Sequence, residues 1–429
     1  MNIFNTDYYQ FTMSLAYLLC GKANETTGFE SFVRNIKKEI DPSQQAYIFS
    51  GEKEVVSFLE TVKTEIQSEN FFELFWTIVS KSISKEKQHQ IYEKAKEAFD
   101  SVDKNFEYTV LKEGSIVKPY VPVFQYKGPK IFGQMIETKI TNIINGRTGL
   151  KSYKAKNKAL EEIVNDRNTN AYNDYLERIE KRAVQYRRAT SKILLEAGYR
   201  RSPSQGIADE ASRIAMEQNW DGTSNVSAYQ KGLVDKIGGT MAHSFIMSFE
   251  SELEAFKTWN EIFTGSTILI DTYDTINAVK TLIKHNIRPS SVRIDSGDLK
   301  ALSFKVRDIL DNAGWTEVQI FISGDMTPEL LAEFEKENVP FDITMAGTKY
   351  VNIDEAVHVN AGFVYKIVEY EKNGKKFYPV KKASGKSNYP GLKKVEFKKD
   401  KIIVSVGDNW GFFGNSSNVN AKALFNIKV

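Results

Sequence analysis

The feature that most constrains this chain is a run of alternating strand-like and helix-like segments between residues 266 and 347. Ser266–Thr272 is a short, β-branched, apolar run of the kind buried on both faces of a sheet, and Asp274–His285 after it has helical spacing. The pattern repeats as Ser291–Gly297 then Leu299–Ala313, and as Gln319–Asp325 then Pro328–Glu337, with Phe341–Gly347 as a further strand. The period is roughly 24–30 residues, the size of a strand with its crossover helix. Upstream, Gly238–Ser244 followed by Glu250–Trp259 fits the same scheme. Sustained alternation of this kind implies a parallel sheet covered by helices, either a barrel or a doubly wound sheet.

Both flanks break the rhythm. Tyr8–Leu19 reads as a helix opened by Thr6 or Asp7, Gly28–Val33 alternates like a strand, and Lys53–Ile66 and Glu69–Phe99 are helix-rich. Two prolines make Ser115–Val123 an edge strand or an extended segment. Gln134–Leu150 is helical. After Val364 only short β-like runs remain, Phe363–Val368 and Lys401–Val406. Neither end carries a full core, so the two are expected to pair as a second domain.

Composition excludes more than it selects. The 429 residues carry 58 Lys+Arg against 55 Asp+Glu, a net +3, so no overall basic excess points to nucleic acid. The total hides a local +6 between Lys151 and Arg201 (13 Lys+Arg less 7 Asp+Glu). There Tyr172, Tyr175, Leu176, Ile179, Ala183 and Tyr186 recur at helical steps, the stripe of an amphipathic helix packed on a core. A basic groove for an anionic ligand or RNA is the sharper alternative. One cysteine, Cys20, excludes an internal disulfide framework and multi-Cys metal sites. No signal-peptide pattern or membrane-length apolar run is present, so the expectation is a cytoplasmic protein with no membrane partner.

The strand ends carry the chemistry. Asp271-Thr272, Arg293 with Asp295-Ser296-Gly297-Asp298, Ser323-Gly324-Asp325 and Gly347-Thr348 all close a predicted strand. In parallel α/β folds these ends share one face, where ligands bind. A single aspartate there is most often a helix cap, but four consecutive polar ends are not explained that way. Glycine lets backbone amides approach an anion, and hydroxyls donate to phosphate. Neighbouring carboxylates suit Mg²⁺ arriving with substrate phosphates, and the Arg293 fork suits a carboxylate or phosphate. A P-loop sequence is absent, so a P-loop NTPase is not expected. Asp221–Asn225 reads as a polar loop. His243, beside Ser244 at the end of the predicted Gly238–Ser244 strand, is the best placed of the four histidines.

These pieces, in order, resemble the nicotinate phosphoribosyltransferase family. The resemblance runs through Thr6-Asp7-Tyr8-Tyr9-Gln10, Phe29–Arg34, Glu137-Thr138 with Asn142 and Asn145, Tyr199-Arg200-Arg201 and Asp221–Asn225. It continues through Gly239–Ser244, Asp271–Asp274, Arg293–Asp298, Ser323–Asp325 and Gly347-Thr348, and reaches Pro390-Gly391 with Lys393. Before Gly198-Tyr199-Arg200-Arg201 this chain has Ala197 where the family usually carries phenylalanine.

The resemblance implies an irregular (β/α) barrel joined to an α+β sandwich-like domain built from both chain ends. The expected division is 1–133, 134–363 with a basic helical insert at about 151–190, and 364–429. It implies transfer of phosphoribosyl from phosphoribosyl pyrophosphate to nicotinate in NAD salvage, giving nicotinate mononucleotide and pyrophosphate, coupled to ATP hydrolysis with Mg²⁺. It also implies a homodimer whose subunits complete one another's sites. Tyr9 resembles the ring that stacks on the pyridine, supplied by the neighbouring subunit. Arg293 resembles the partner of the nicotinate carboxylate, with Thr240 close by. Ser224 stands where nicotinamide-using relatives carry an acid. Arg200, Asp271, Asp295, Gly324, Gly347 and Thr348 resemble contacts to phosphoribosyl pyrophosphate, Asp271 and Asp295 through its metal. His243 matches the histidine that ATP phosphorylates. His243, Arg293 and Asp295 are thus the expected catalytic set. A nicotinamide-preferring transferase and a non-catalytic nucleotide-binding homologue are the alternatives.

Overall fold

The computed structural model describes residues 2–38, 40, 41, 43, 45–153, 158–165, 169–353, 360–379, 388–399, 401–414, 416 and 422–426. Its centre is a curled, six-stranded parallel sheet, half of a barrel. The strand order is Gly222–Thr223, Ile193–Glu196, Ile343–Ala346, Gln319–Ile322, Ser291–Ile294 and Thr267–Leu269. Val292, Ile294, Ile320 and Ile322 are wholly buried, as strands covered on both faces require. The covering helices Thr275–Lys284, Leu299–Asn312 and Pro328–Lys336 each begin at a side-chain cap, from Asp274, Asp298 and Thr327 respectively.

Two expectations are corrected. Gly238–Ser244 is not a strand: His243 opens a short helix, His243–Ile246, and the residues before it run without a ladder. Their polar groups are spent elsewhere. Thr12 Oγ1 donates to the Thr240 carbonyl, Ala242 N–H reaches the Met13 sulfur, and Arg293 takes the Met241 carbonyl. Gly239 lies so close to the Tyr8–Leu19 helix that a Cβ would stand 2.7 Å from Tyr9 N. Asp221–Asn225 is not simply a loop: Gly222–Thr223 forms the sheet's edge strand. Its flanks explain the polar composition. Asp221 accepts the Leu194 N–H at 2.9 Å, and Asn225 caps the Val226–Gln230 helix.

The basic segment is partly described, with 154–157 and 166–168 outside the described residues. Its main helix, Asn170–Ala189, buries Tyr172, Tyr175, Ile179, Ala183 and Tyr186. Tyr175 Oη donates to the Val351 carbonyl and Tyr186 Oη to the Met326 carbonyl, each at 2.6 Å. Arg182 and Arg187 pair with Glu329 and Asp221. The stripe therefore docks the helix on the sheet's outer layer, as amphipathic spacing dictates.

The chain ends meet in a five-stranded antiparallel sheet ordered Lys375–Phe377, Phe363–Lys372, Thr26–Val33, Phe124–Pro129 and Glu107–Val110. Phe29 stands opposite Ile367 on one side and Tyr126 on the other. Of Ser115–Val123, only Ile116–Val117 pairs, against Tyr47–Ile48, before Pro119 and Pro122 remove ladder donors. Tail residues 393–426 add a second, four-stranded sheet. Its Lys393 backbone is held by both ends of the Gln125 amide, at 3.0 and 2.7 Å. The Lys393 ammonium, fully buried, meets Glu30 at 2.7 Å and the Tyr389 carbonyl at 2.7 Å.

This pair joins the first strand to the tail across a dry interior. Breaking one member leaves an uncompensated buried charge, whereas removing both does not. Glu30→Ala should therefore cost about 3–5 kcal/mol. The double change Glu30→Met with Lys393→Met should recover most of that loss. Urea unfolding of the three proteins checks this.

Candidate active site

The C-terminal ends of the parallel strands converge as their spacing demands. Residues two apart in an extended segment share a face, which puts Arg293 and Asp295 on one side of their strand end. Of the strand-end aspartates, Asp274 and Asp298 are helix caps, but Asp271 and Asp295 are not. Each of these two is braced from just past the end of the neighbouring strand. Ser323 Oγ donates to Asp295 at 2.7 Å, and Ser296 Oγ donates to Asp271 Oδ2. His243 faces them both: its Nδ1 is 3.1 Å from Thr272 Oγ1, and its Nε2 lies 3.9 Å from Asp271 and 3.7 Å from Asp295. Donor atoms of His243, Asp271 and Asp295 all lie within 4.8 Å of one another. Asp271 Oδ1, almost wholly buried, has no hydrogen-bond partner. A buried carboxylate oxygen without a donor, next to a second carboxylate, suits a hard divalent cation.

Arg293 is set by the corrected segment. Its Nη1 donates to Thr240 Oγ1 at 2.8 Å and its Nη2 to the Met241 carbonyl at 3.0 Å, while its buried Nε has no acceptor. The guanidinium is thus aimed by two bonds, with the buried Nε–H among the donors left over. Gly324 and Gly347 also have a packing reason to be glycine. A Cβ at Gly324 would lie 2.6 Å from the Asp295 carbonyl, and one at Gly347 would lie 2.7 Å from the Ala197 carbonyl. Thr348 opens the short helix that follows.

A second cluster adjoins the first. Arg200 Nη1 meets Glu137 Oε1 at 3.0 Å. Glu137 Oε2 accepts from Gln10 and Gln134, each at 3.0 Å, and Gln134 Oε1 accepts from Ser244 Oγ at 3.0 Å. The acids Tyr9, Glu137, Asp7 and Asp295 raise the Arg200 pKa, Tyr9 foremost, so this guanidinium stays charged. Tyr9 lies by its own chain's Arg200, and its buried hydroxyl has no partner; burial holds it well above the usual phenol range. Ser224 Oγ donates to Asp7 Oδ1 at 2.6 Å, and Thr138 Oγ1 to Asp7 Oδ2 at 2.8 Å. Every expected site residue therefore lies in one of these two clusters or on the strand ends between them. Gln10, Gln134 and Glu137 had no role assigned from sequence, and Asp7, expected only as a possible helix opener, stands at the N-cap position but spends its carboxyl on Ser224 and Thr138. The usable signal was a glutamine and a glutamate inside the apolar stretch 131–136 and its continuation, where buried polar residues must pair with something.

Burial pushes the Asp7 carboxyl up to about 6 against the lowering effects of Ser224, Arg200 and Thr138. The folded state then holds this proton more tightly than the unfolded chain does. The resulting stability is fully present below about pH 4 and is lost as pH rises through 6. Asp7→Asn should flatten that part of the profile, on the order of 2–3 kcal/mol, in urea unfolding between pH 4 and 7.

Comparison with known proteins agrees with this geometry. No family model matches the chain. A curated nicotinate phosphoribosyltransferase of Mycobacterium tuberculosis is 28% identical over 418 residues, covering 96% of this chain and 78% of its relative. One from Bacillus subtilis is 26% identical over 401 residues, covering 91% and 72%. The crystal structure of a nicotinate phosphoribosyltransferase from Porphyromonas gingivalis superposes with a TM-score of 0.64 at 18% identity, covering 90% of this chain and 96% of that one. The Vibrio cholerae structure gives a TM-score of 0.61 at 15% identity, covering 90% of each. The structural likenesses establish the shared fold. Sequence likeness over nearly the full length, on top of that fold, makes the chain similar throughout to curated nicotinate phosphoribosyltransferases.

Proposed function

We propose that this chain is a nicotinate phosphoribosyltransferase of NAD salvage, forming nicotinate mononucleotide and pyrophosphate from nicotinate and phosphoribosyl pyrophosphate. One observation carries the reading. A guanidinium aimed by Thr240 stands on the same strand end as Asp295, beside Asp271 and His243. A pyridine carboxylate and a metal-bound pyrophosphate need those two features side by side.

The pyridine nitrogen is itself the nucleophile. It forms the new bond at the sugar C1 as the bond to pyrophosphate breaks, through an oxocarbenium-like state, and no general base is required. The protein's contribution is alignment and charge. Arg293 holds the carboxylate. Arg200 and the glycines at 324 and 347 border the phosphates. Asp271 and Asp295 would hold Mg²⁺, which neutralises the departing pyrophosphate. Ser224 favours an anionic base, because an acid there would face the Asp7 carboxylate that Ser224 now serves as donor.

ATP belongs to the same reading, with His243 as phosphoryl acceptor. Thr272 engages Nδ1, so Nε2 is the nitrogen turned toward the carboxylates where a metal-bound phosphate arrives. We also read the protein as a cytoplasmic homodimer in which Tyr9 contributes to a shared base pocket. The five-stranded antiparallel sheet and the mixed four-stranded sheet then form the sandwich-like unit built from residues 1–133 and 364–429. Among the described residues no helix is long and apolar enough to cross a membrane.

Purified protein assayed with both bases tests the assignment. Nicotinate should be turned over well above nicotinamide, and the reverse ranking would overturn it. Arg293→Ala should raise KM for nicotinate by about 100-fold, as expected for a lost charge-assisted pair of roughly 3 kcal/mol, with a much smaller effect on a neutral pyridine. His243→Ala should abolish ATP stimulation and leave slow ATP-independent transfer. Unchanged stimulation would remove the phosphohistidine role.

A further inference from the structure

Among the described residues four lysines are buried: Lys22, Lys130, Lys139 and Lys393. Three of them meet a glutamate, as buried ammonium groups ordinarily must: Lys22 and Lys130 share Glu25, and Lys393 has Glu30. Lys139 is the exception among the described residues. Its 4% exposure leaves it almost dry, and its partner is the neutral Gln205 side-chain oxygen at 2.7 Å. The carboxylate with most influence on it, Asp209, is already bound by Lys231 and by the Asn225 amide. Glu54, on the cavity wall, is paired with Arg147 at 3.0 Å. A buried ammonium without a counter-charge is costly, and the cost falls when an anion joins it.

There is room for that anion. Lys139 lines a cavity of about 210 Å³, together with Asn142, Arg147, Tyr172, Ser204 and Gly206. Residues Ile163 to Asn165 wall it on the side of the basic segment. The thirteen-residue Gln205–Glu217 helix begins in the same wall. Ser204 caps its Ile207 amide, and the Gln205 and Gly206 amides precede any carbonyl of the helix that could accept them. Asn142, on the opposite wall, donates to the Tyr199 and Ser202 carbonyls at 3.0 and 2.9 Å. The cavity thus lies directly behind the segment that carries Arg200, and is separate from the strand-end cluster.

We infer that this cavity is a second anion site, which takes a tetrahedral oxyanion, either free phosphate or the terminal phosphate of a small ester. Lys139 supplies the charge and the helix start supplies amide donors. The assignment does not depend on the proposed activity, and binding tests it without turnover.

The test uses the full chain, its thermal midpoint titrated with inorganic phosphate and, separately, with ribose 5-phosphate. Crystals soaked in sodium tungstate are read by anomalous scattering. Expected are a phosphate-dependent rise in midpoint in wild type and Arg200→Ala, its loss in Lys139→Met and Lys139→Gln, and a tungstate peak at Lys139 Nζ. Response to inorganic phosphate alone would identify the free ion, and response to both would identify an ester phosphate as well. Retention of the full phosphate response in both Lys139 variants would overturn the proposal. So would a crystal in which tungstate fills the Arg200 region and leaves Lys139 bare.

Discussion

The arrangement of the site depends on one buried carboxylate. Glu137 spends one oxygen on Arg200 and the other on Gln10 and Gln134, so three regions distant in sequence meet at a single side chain. The first helix, the short Lys130–Met135 helix, the Glu137–Ser152 helix and the Tyr199–Arg201 3-10 helix are all referenced to it. A charge-assisted pair of this kind, with the remaining lone pairs satisfied, fixes orientation more than it adds stability. What it fixes is the direction of Arg200, a cation that a phosphate-bearing substrate must find already in place.

The strand ends follow the same logic by a different means. Asp271 and Asp295 lie just past their strand ends, and each is held by a serine from the connection that follows the adjacent strand. The glycines at 324 and 347 let those strand ends approach more closely than any side chain allows. Building a site on a sheet gives the precision that loops lack. That suits a reaction whose nucleophile needs no activation, because the protein has only to align reactants and oppose charge.

Much of this was legible in the sequence, for physical reasons. Alternation of buried strands and capped helices survives in any α/β sheet because both periods are dictated by backbone geometry, and the 266–347 region accordingly formed as read. The tyrosine stripe at 172–186 was legible because an amphipathic face needs no partner to be recognised. Gly238–Ser244 was misread because its apolar character serves contact with the first helix. Its backbone bonds go to Thr12, Met13 and Arg293, partners hundreds or tens of residues away that periodicity does not encode. The same limit hid Gln134 and Glu137, which lie inside an apolar run and look like interruptions until their partners are known. Asp271 and Asp274 differ by three positions and are chemically identical, yet one caps a helix and the other faces the cluster. Only the geometry separates them.

The misread segment also joins the two clusters. Thr240 and Met241 aim Arg293, His243 faces Asp271 and Asp295, and Ser244 donates to Gln134, which in turn donates to Glu137. Four residues within a run of five therefore reach the group assigned to the base, the pair assigned to the metal and, through Gln134, the anchor of Arg200. A regular strand could not do this, because alternate side chains would point to opposite faces of the sheet. A segment without a ladder can turn each residue separately, at the cost of finding individual partners for its backbone. From His243 the path to Arg200 runs through the adjacent Ser244, then Gln134 and Glu137, by two hydrogen bonds and one ion pair. The connection between the two halves of the site is short because the segment is free of a sheet ladder.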